Sequence, residues 1–543
     1  MSYYNKVLLV NDIKLSVNAS HKEAFSIAKK RIGKAVAKFT DLSFSVYRRS
    51  IDARKKDDVK FVYSISVTGE FSGINPLALA EHSVVILDDD NNENNFIPEH
   101  GKEKLSSRPV IVGSGPCGLF SALLLAEEGY APIIVERGDC ISERKRRVNI
   151  FNQTHAFDSE TNIQFGAGGA GTFSDGKLVT RVNDPLTSYV LRRFVEFGAP
   201  KEIQYIAKPH VGTDVLSVVV DNMLSHITKL GGTVLYNTKF LYAKEGKENI
   251  AVTEHGDIPF GALILSIGHS ARDTYYNLLK SEYAIEPKAF SVGMRIEHIA
   301  DNIDKALYGD FAGHPKLGHA EYNLSHNTKS RGVYTFCMCP GGEVVAATSE
   351  EFGTVVNGMS YHKRDGKNSN SAVVCSIFKE DYGATPSAAI EFQRNIERAA
   401  FVAGGSNYAA PIITVGDFLK NECKRSPYDV FPTYMDGKHI RIASPKTYLP
   451  EFVCDSISNA ITAFDKKIKG FAHDGAILTG AETRTSAPIR ILRDPKTRLA
   501  VGHPYVYPAG EGAGYAGGIT SAAIDGIRTA ISIIERFNPE IDG

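Results

Sequence analysis

Gly113, Gly115 and Gly118 follow directly on the apolar run "PVIV", and a second run, "APIIV", ends at the acid Glu136. This spacing suits a pyrophosphate. Gly113 makes a tight turn, Gly115 lets backbone approach phosphate oxygens, and Gly118 lets a helix sit close on a sheet. The helix, "PCGLFSALLLAEEG", opens at Pro116 and Cys117 with unpaired N–H groups and a partial positive charge for the anion. Glu136, followed by Arg137, is placed to accept hydrogen bonds from ribose hydroxyls. A dinucleotide-binding turn is expected here, and the motif alone fits FAD and NAD equally.

The stretch "FGAGGAGTFSDGK" (165–177) repeats the glycine spacing as Gly166, Gly168 and Gly171. It lacks what a second such turn needs. The preceding "TNIQF" is no buried strand, and Ser174-Asp175-Gly176 is a turn signal rather than a helix start. The expected arrangement is a glycine strip lying against the first cofactor. Gly169 and Gly171 let backbone N–H groups come close, and Thr172, Ser174 and Lys177 add hydroxyls and a cation. A purely structural loop is the competing reading.

Three further residues carry possible catalysis. Cys337 and Cys339 in "YTFCMCPGG" read either as a redox pair or as two small buried side chains. In a regular strand they face the same side. His210 in "KPHVGTD" reads as a proton donor to a substrate or as a loop hydrogen bonder. The cluster His362, Lys363, Arg364 and Asp365 could hold an anion, as could Arg484, Arg490 and Arg493. No paired cysteines or histidines at ligand spacing suggest a metal, and none is expected.

These residues need positioning elements, and 543 residues supply chain for about three or four domains. Lys plus Arg equal Asp plus Glu at 62 each, so no overall field recruits nucleic acid or an anionic membrane. The N-terminus lacks the features of a signal peptide, and no apolar run is long enough to span a bilayer. The seven scattered cysteines point to a reducing cytoplasm. Residues 1–86 alternate strand and helix patterns as a small α+β domain. Ala24, Ile27, Ala28, Ile32, Ala35 and Val36 form one helical face. Residues 87–107, acid- and asparagine-rich, read as a linker. The basic residues Arg48, Arg49, Arg54, Lys55 and Lys56 read as a guarded edge strand, with RNA contact as the alternative.

Two later segments decide the nucleotide by resemblance. "ALILSIG", ending at Gly268, resembles the second FAD signature of glutathione-reductase-like flavoproteins, and Phe240 falls where that group lays backbone against adenine. "HPYVYPAGEGAGYAGGITSAAIDG" is similar to its third signature, a strand ending in Gly510-Glu511 and a helix beginning at Gly518-Ile519. Glu511 replaces the group's aspartate at the ribityl chain. "NIQFGAGGAGTFSDGKLVTR", "FSVGMRIEH", "YTFCMCPGGEVVAATSEEFGTVV" and "AETRTSAPIRILRD" extend the likeness. Over essentially the whole chain the sequence resembles the uncharacterised bacterial FAD-dependent dehydrogenases. That resemblance implies an α/β fold in which a discontinuous Rossmann-like FAD domain (108–280 and 478–543) is interrupted by an α+β substrate domain (281–477). It implies FAD and two-electron transfer at flavin N5 with a small-molecule substrate. NADH or NADPH, if used, visits the flavin without its own domain; a partner protein is another electron source. The alternatives are a flavoprotein of RNA binding or modification and a redox sensor without turnover.

Overall fold

The computed structural model describes residues 4–87, 96–180, 184–327, 331–424 and 429–541. The N-terminal unit runs Tyr4–Ser16, helix His21–Ala35, Val36–Asp52, Lys60–Ile74, helix Pro76–Glu81 and Val84–Leu87. Its four strands form one antiparallel sheet in the spatial order second, third, first, fourth. The long helix buries Ala24, Ala28, Ile32 and Ala35, as the helical spacing predicts. Lys60–Ile74 alternates, burying Phe61, Tyr63, Ile65 and Val67 against it. Val36 already belongs to the next strand, so the helix ends one residue before the expected face does.

Two of the basic residues in this unit are engaged. The Arg49 guanidinium lies over Phe61 and Tyr205, 5.0 and 5.7 Å from the ring centres. Its backbone exchanges hydrogen bonds with Tyr205 and Ala207 of the next domain. Arg54 pairs with Asp52. The unit is thus docked through its basic strand. Tyr308, Leu317 and Ala320 of the inserted domain complete its core.

The nucleotide-binding sheet has five parallel strands: Val506–Pro508, Leu263–Leu265, Val110–Val112, Ile133–Val135 and Thr233–Leu235, in that order. Each strand is three residues long, and the central ones are apolar and largely buried, as in a parallel sheet covered on both faces. Helices Pro116–Glu127 and Ile519–Arg536 cross closely on one face. A Cβ on Gly526 would lie 2.2 Å from the Cys117 carbonyl, so only glycine permits this approach. A three-stranded meander, Phe240–Lys244, Ile250–Thr253 and Gly256–Pro259, connects strand Thr233–Leu235 to strand Leu263–Leu265.

The inserted domain is built on a seven-stranded sheet ordered Ser325–Asn327, Gly332–Cys339, Asn368–Ile377, Phe290–Ile299, Ile477–Glu482, Ala410–Thr414 and Ile440–Ile442. Two expected boundaries change. Ile477–Glu482 pairs with Phe290–Ile299 and Ala410–Thr414, so the return to the nucleotide domain comes after it, not at 478. The start also moves, because Ile285–Pro287 pairs with Ile489–Ile491 rather than with the seven-stranded sheet. The linker 87–107 is likewise not all linker: Glu103–Leu105 pairs in parallel with the C-terminal strand Phe537–Ile541. Residues 88–95 lie outside the described residues. Among the described residues no helix is long and apolar enough to cross a membrane.

Candidate functional site

A long cleft opens at the C-terminal ends of the parallel strands and runs toward the inserted domain. At its centre lies the Gly113–Gly118 turn, built as its spacing predicts. Gly113 has φ +96°, and a Cβ there would sit 2.5 Å from the Ser266 carbonyl. Gly118 lies behind the cleft wall, where a Cβ would strike the Gly113 carbonyl at 1.9 Å. Gly115 caps the helix that starts at Pro116, and both line the cleft, as does Cys117. The Cys117 thiol is buried against Gly510, and burial pushes its pKa far up, so it is inert packing.

Glu136 lines the cleft, but its carboxylate is already occupied. One oxygen accepts from the Ser114 backbone (3.0 Å) and hydroxyl (2.6 Å), the other from the N–H groups of Gly138 and Gly166 (3.0 Å each). A carboxylate has about four acceptor sites. The expected ribose contact is therefore corrected: Glu136 ties the glycine turn to the glycine strip. The neighbouring end of the cleft is formed by Thr238, Lys239, Phe240 and Arg137. Arg137 lies 4.0 Å over the Phe165 ring and pairs with Glu160 and Asp273.

The strip 165–177 forms no second nucleotide fold. After Gly169 it makes the short 3-10 turn Ala170–Phe173, not a helix. Gly169, at φ +63°, comes so close to the first turn that a Cβ would lie 2.9 Å from the Gly115 Cα. Arg144, wholly buried, holds the strip by donating to the carbonyls of Asn162, Ile163, Gly166, Ala167 and Gly169. Gly169, Gly171, Ser174 and Lys177 line the cleft as expected. Thr172 does not: its hydroxyl turns to the Ala167 carbonyl.

At the far end, helix Ile519–Arg536 begins at Gly518 and aims its N-terminus into the cleft, lined by Gly518 and Ile519. Gly510 sits behind the wall, donating its N–H to Asp525 (2.7 Å), while Glu511 lines the cavity. Burial pushes the Glu511 carboxyl up to about 7, Lys288 opposing and Cys337 reinforcing. Folding then costs nothing below pH 4.5, where both states are protonated, and the cost grows to its full size as pH rises through 7. Glu511→Gln is expected to stabilise the cofactor-free chain by roughly 3 kcal/mol above pH 7 and by little near pH 4. Urea unfolding at the two pH values measures it.

Phe336, Cys337 and Asn357 of the inserted domain also line the cleft, with Cys337 close enough to act on the Glu511 charge. Lys177 donates to Asp175 (2.7 Å) and to the Met338 carbonyl. Against the upward push of burial, Lys177 and Arg364 hold the Asp175 carboxyl well below its ordinary range. Arg484 also lines the cleft, but with Arg272 it is bound to the buried Glu397, at 2.7 to 3.2 Å. Arg493 is taken by Asp525, and Arg490 stands 3.5 Å from Glu286. These arginines hold elements together.

His210 is not in the cleft. Its backbone bridges to Lys177, while its ring faces a second cleft between the N-terminal and inserted domains. There its Nε2 donates to the His362 carbonyl (3.0 Å), and burial, then Arg364, lowers its pKa to about 4. It is a neutral loop hydrogen bonder, and the proton-donor reading is withdrawn. Arg364 links the two cavities by bonding Asp175 and Glu321. Cys339 is fully buried and lines neither. Two cleft residues escaped sequence reading. His269 follows Gly268 at a strand end, and burial with the Arg484 and Arg272 cations pulls it down to about 3. Gln164 accepts from Ser270 through Oε1 (3.1 Å), yet its buried Nε2 has no protein partner.

These features fit FAD. Gly268, Gly517 and Gly518 face open space, where a Cβ would meet nothing within 4 Å. Gln164 Nε2 is a buried donor without a protein partner, and two helices begin at the cleft, where their N–H groups suit a phosphate-bearing cofactor. Fold and cleft together define an FAD-binding protein.

Comparison with known proteins agrees. A family model described as "FAD-dependent protein, C-terminal domain-like" matches residues 289–485, the inserted domain with its final strand. Another, described as a domain of unknown function, matches 8–68. An "Uncharacterized protein" of Clostridium beijerinckii is 45% identical over 531 residues, 96% of this chain and 98% of that one. The chain belongs to the same family as this clostridial protein, and its cofactor is FAD. The "Indole-3-pyruvate monooxygenase YUCCA6" of Arabidopsis thaliana is 26% identical over 143 residues, 26% of this chain and 31% of its own. Among solved structures, CtdE in complex with FAD aligns with TM-score 0.32 and 12% identity over 79% of this chain and 84% of that one.

Proposed function

We propose that the protein is an FAD-dependent oxidoreductase that transfers two electrons between a small organic substrate and the flavin. The observation that carries this reading is that Phe336, Cys337 and Asn357 of the inserted domain line the same cleft as Glu511 and the start of helix Ile519–Arg536. The inserted domain is thereby the surface a substrate meets. Bound FAD supplies hydride-accepting chemistry at N5. The Gly113–Gly118 turn and the strip 165–177 would hold its phosphates, and Arg144 and Glu136 keep the two loops together. Phe336 helps exclude water. The N-terminus of helix Ile519–Arg536 would favour negative charge on the part of the cofactor bound against it.

Among the described residues the five-stranded sheet is the one parallel sheet with such a turn. A nicotinamide reductant therefore reaches the ring by the substrate's route. Anaerobic mixing of the FAD-loaded protein with NADH and then NADPH tests the reading. Bleaching of the visible flavin band by one nucleotide, faster than free FAD reacts, is expected. A band that persists with both nucleotides and with small organic hydride donors would mean a flavin carried without turnover.

A further inference from the structure

We propose that Cys337 is a catalytic residue, a thiolate presented to the redox ring of bound FAD, with Cys339 as the buried thiol that positions and supports it. The proposal rests on the FAD reading above and deepens it. Strand Gly332–Cys339 pairs regularly with Asn368–Ile377 as far as Phe336 opposite Ala372, and pairing resumes only at Cys339 opposite Asn370. One extra residue is thus inserted between them, a bulge, which re-aims side chains. The expected common face of the two cysteines is broken there: Cys337 lines the cleft, whereas Cys339 is 0% exposed.

The backbone at Cys337 adopts φ +43°, the left-handed region that a residue with a side chain rarely occupies. Its surroundings enforce it. The Cys337 carbonyl accepts from Arg295 Nη1 (3.1 Å) and from the Cys339 thiol (3.3 Å). Arg295 is itself buried and fixed by Glu482 (2.9 Å, twice), Asn370 (2.8 Å) and Asn357 (3.1 Å). The next carbonyl, of Met338, is held by Lys177. This machinery keeps one side chain turned out of the strand and into the cleft.

The charges facing Cys337 come from several elements: Cys339 on its own strand, Arg295 across the sheet, Lys177 and Asp175 on the glycine strip, and Glu511 on the C-terminal loop. The neighbouring Cys339 thiol, then Arg295 and Lys177, favour the Cys337 thiolate against burial and Asp175. Cys339 is driven the opposite way and keeps its proton. A thiolate against an oxidised flavin is an electron donor beside an electron-poor ring. The pair absorbs light beyond the flavin's own bands, with no bond made or broken.

The test is the visible spectrum of the FAD-loaded full chain from about pH 5 to about pH 9. A long-wavelength band is expected to grow as pH rises, to vanish in Cys337→Ser, and to move to higher pH in Cys339→Ser. A purely structural Cys339 would not move that pH profile. In parallel, iodoacetamide alkylation of Cys337, read by mass spectrometry, is expected to slow at least about tenfold when FAD is added. Flavin bands at full occupancy, with no added absorbance at any pH and alkylation indifferent to FAD, would overturn the proposal and leave the FAD reading intact. A chain that takes up no flavin would overturn both.

Discussion

Gly115→Leu is expected to give a folded, colourless protein. At Gly115 the backbone is extended (φ −66°, ψ 178°), a conformation open to any residue. A Cβ there meets only the Gly169 Cα, at 3.8 Å, an ordinary contact. The protein itself therefore tolerates a side chain, and the burden falls on what approaches the helix N-terminus. A leucine occupies the path by which phosphate oxygens reach the N–H groups. FAD affinity should fall at least about a hundredfold, which is roughly 2.7 kcal/mol. The unfolding midpoint of the cofactor-free chain should scarcely change. Flavin fluorescence titration and urea unfolding measure the two effects separately. A yellow Gly115→Leu protein would mean that the cofactor does not lie on this turn.

The second large effect is on stability. Glu397→Ala removes the carboxylate shared by Arg272 and Arg484, both buried, and leaves two guanidinium groups without their main partner. Breaking a buried ion pair from one side costs about 3–5 kcal/mol. The loss should appear as a lower urea midpoint with an unchanged slope. Arg272 stands on a helix of the nucleotide domain, Glu397 on a helix of the inserted domain and Arg484 after that domain's last strand. The variant should therefore loosen the junction that shapes the cleft as well as the core. Burial pushes the Glu397 carboxyl upward, but Arg272 and Arg484 outweigh it and hold the carboxyl well below the ordinary 4.5. Its stabilising contribution is present above that value and is lost as pH falls through the lowered one.

The nucleotide turn was legible in the sequence because its parts are local. Strand, glycines, helix, strand and acid stand in one continuous stretch, and each residue type answers a backbone need within a few positions. The glycine strip was legible for the same reason, since Ser174-Asp175-Gly176 cannot start a helix. What sequence could not show depends on distant partners. Glu136 reads as a ribose acceptor until Gly166, thirty positions on, is found donating to it. Ile477–Glu482 is buried at every position, so it carries no alternation. Its composition suits the parallel sheet as well as the mixed one it joins. The pairing of Cys337 and Cys339 on one face followed from regular alternation, and a bulge specified by Arg295 and the opposite strand cancelled it. Arg272, Glu397 and Arg484 look like scattered charges in the sequence because only the fold brings them together.

The measurement closest to the central claim compares FAD with FMN for binding to the cofactor-free chain. The cleft runs from Phe240 and Lys239, past the Gly113–Gly118 turn, to Cys337 and Glu511. On the reading proposed above, this cleft takes a flavin joined to an adenosine half through a pyrophosphate. FAD should bind at one per chain and quench on binding, and FMN, which lacks the adenosine half, should bind at least about a hundredfold more weakly. Equal affinity for the two, or no flavin bound at all, would contradict the assignment of this cleft to FAD.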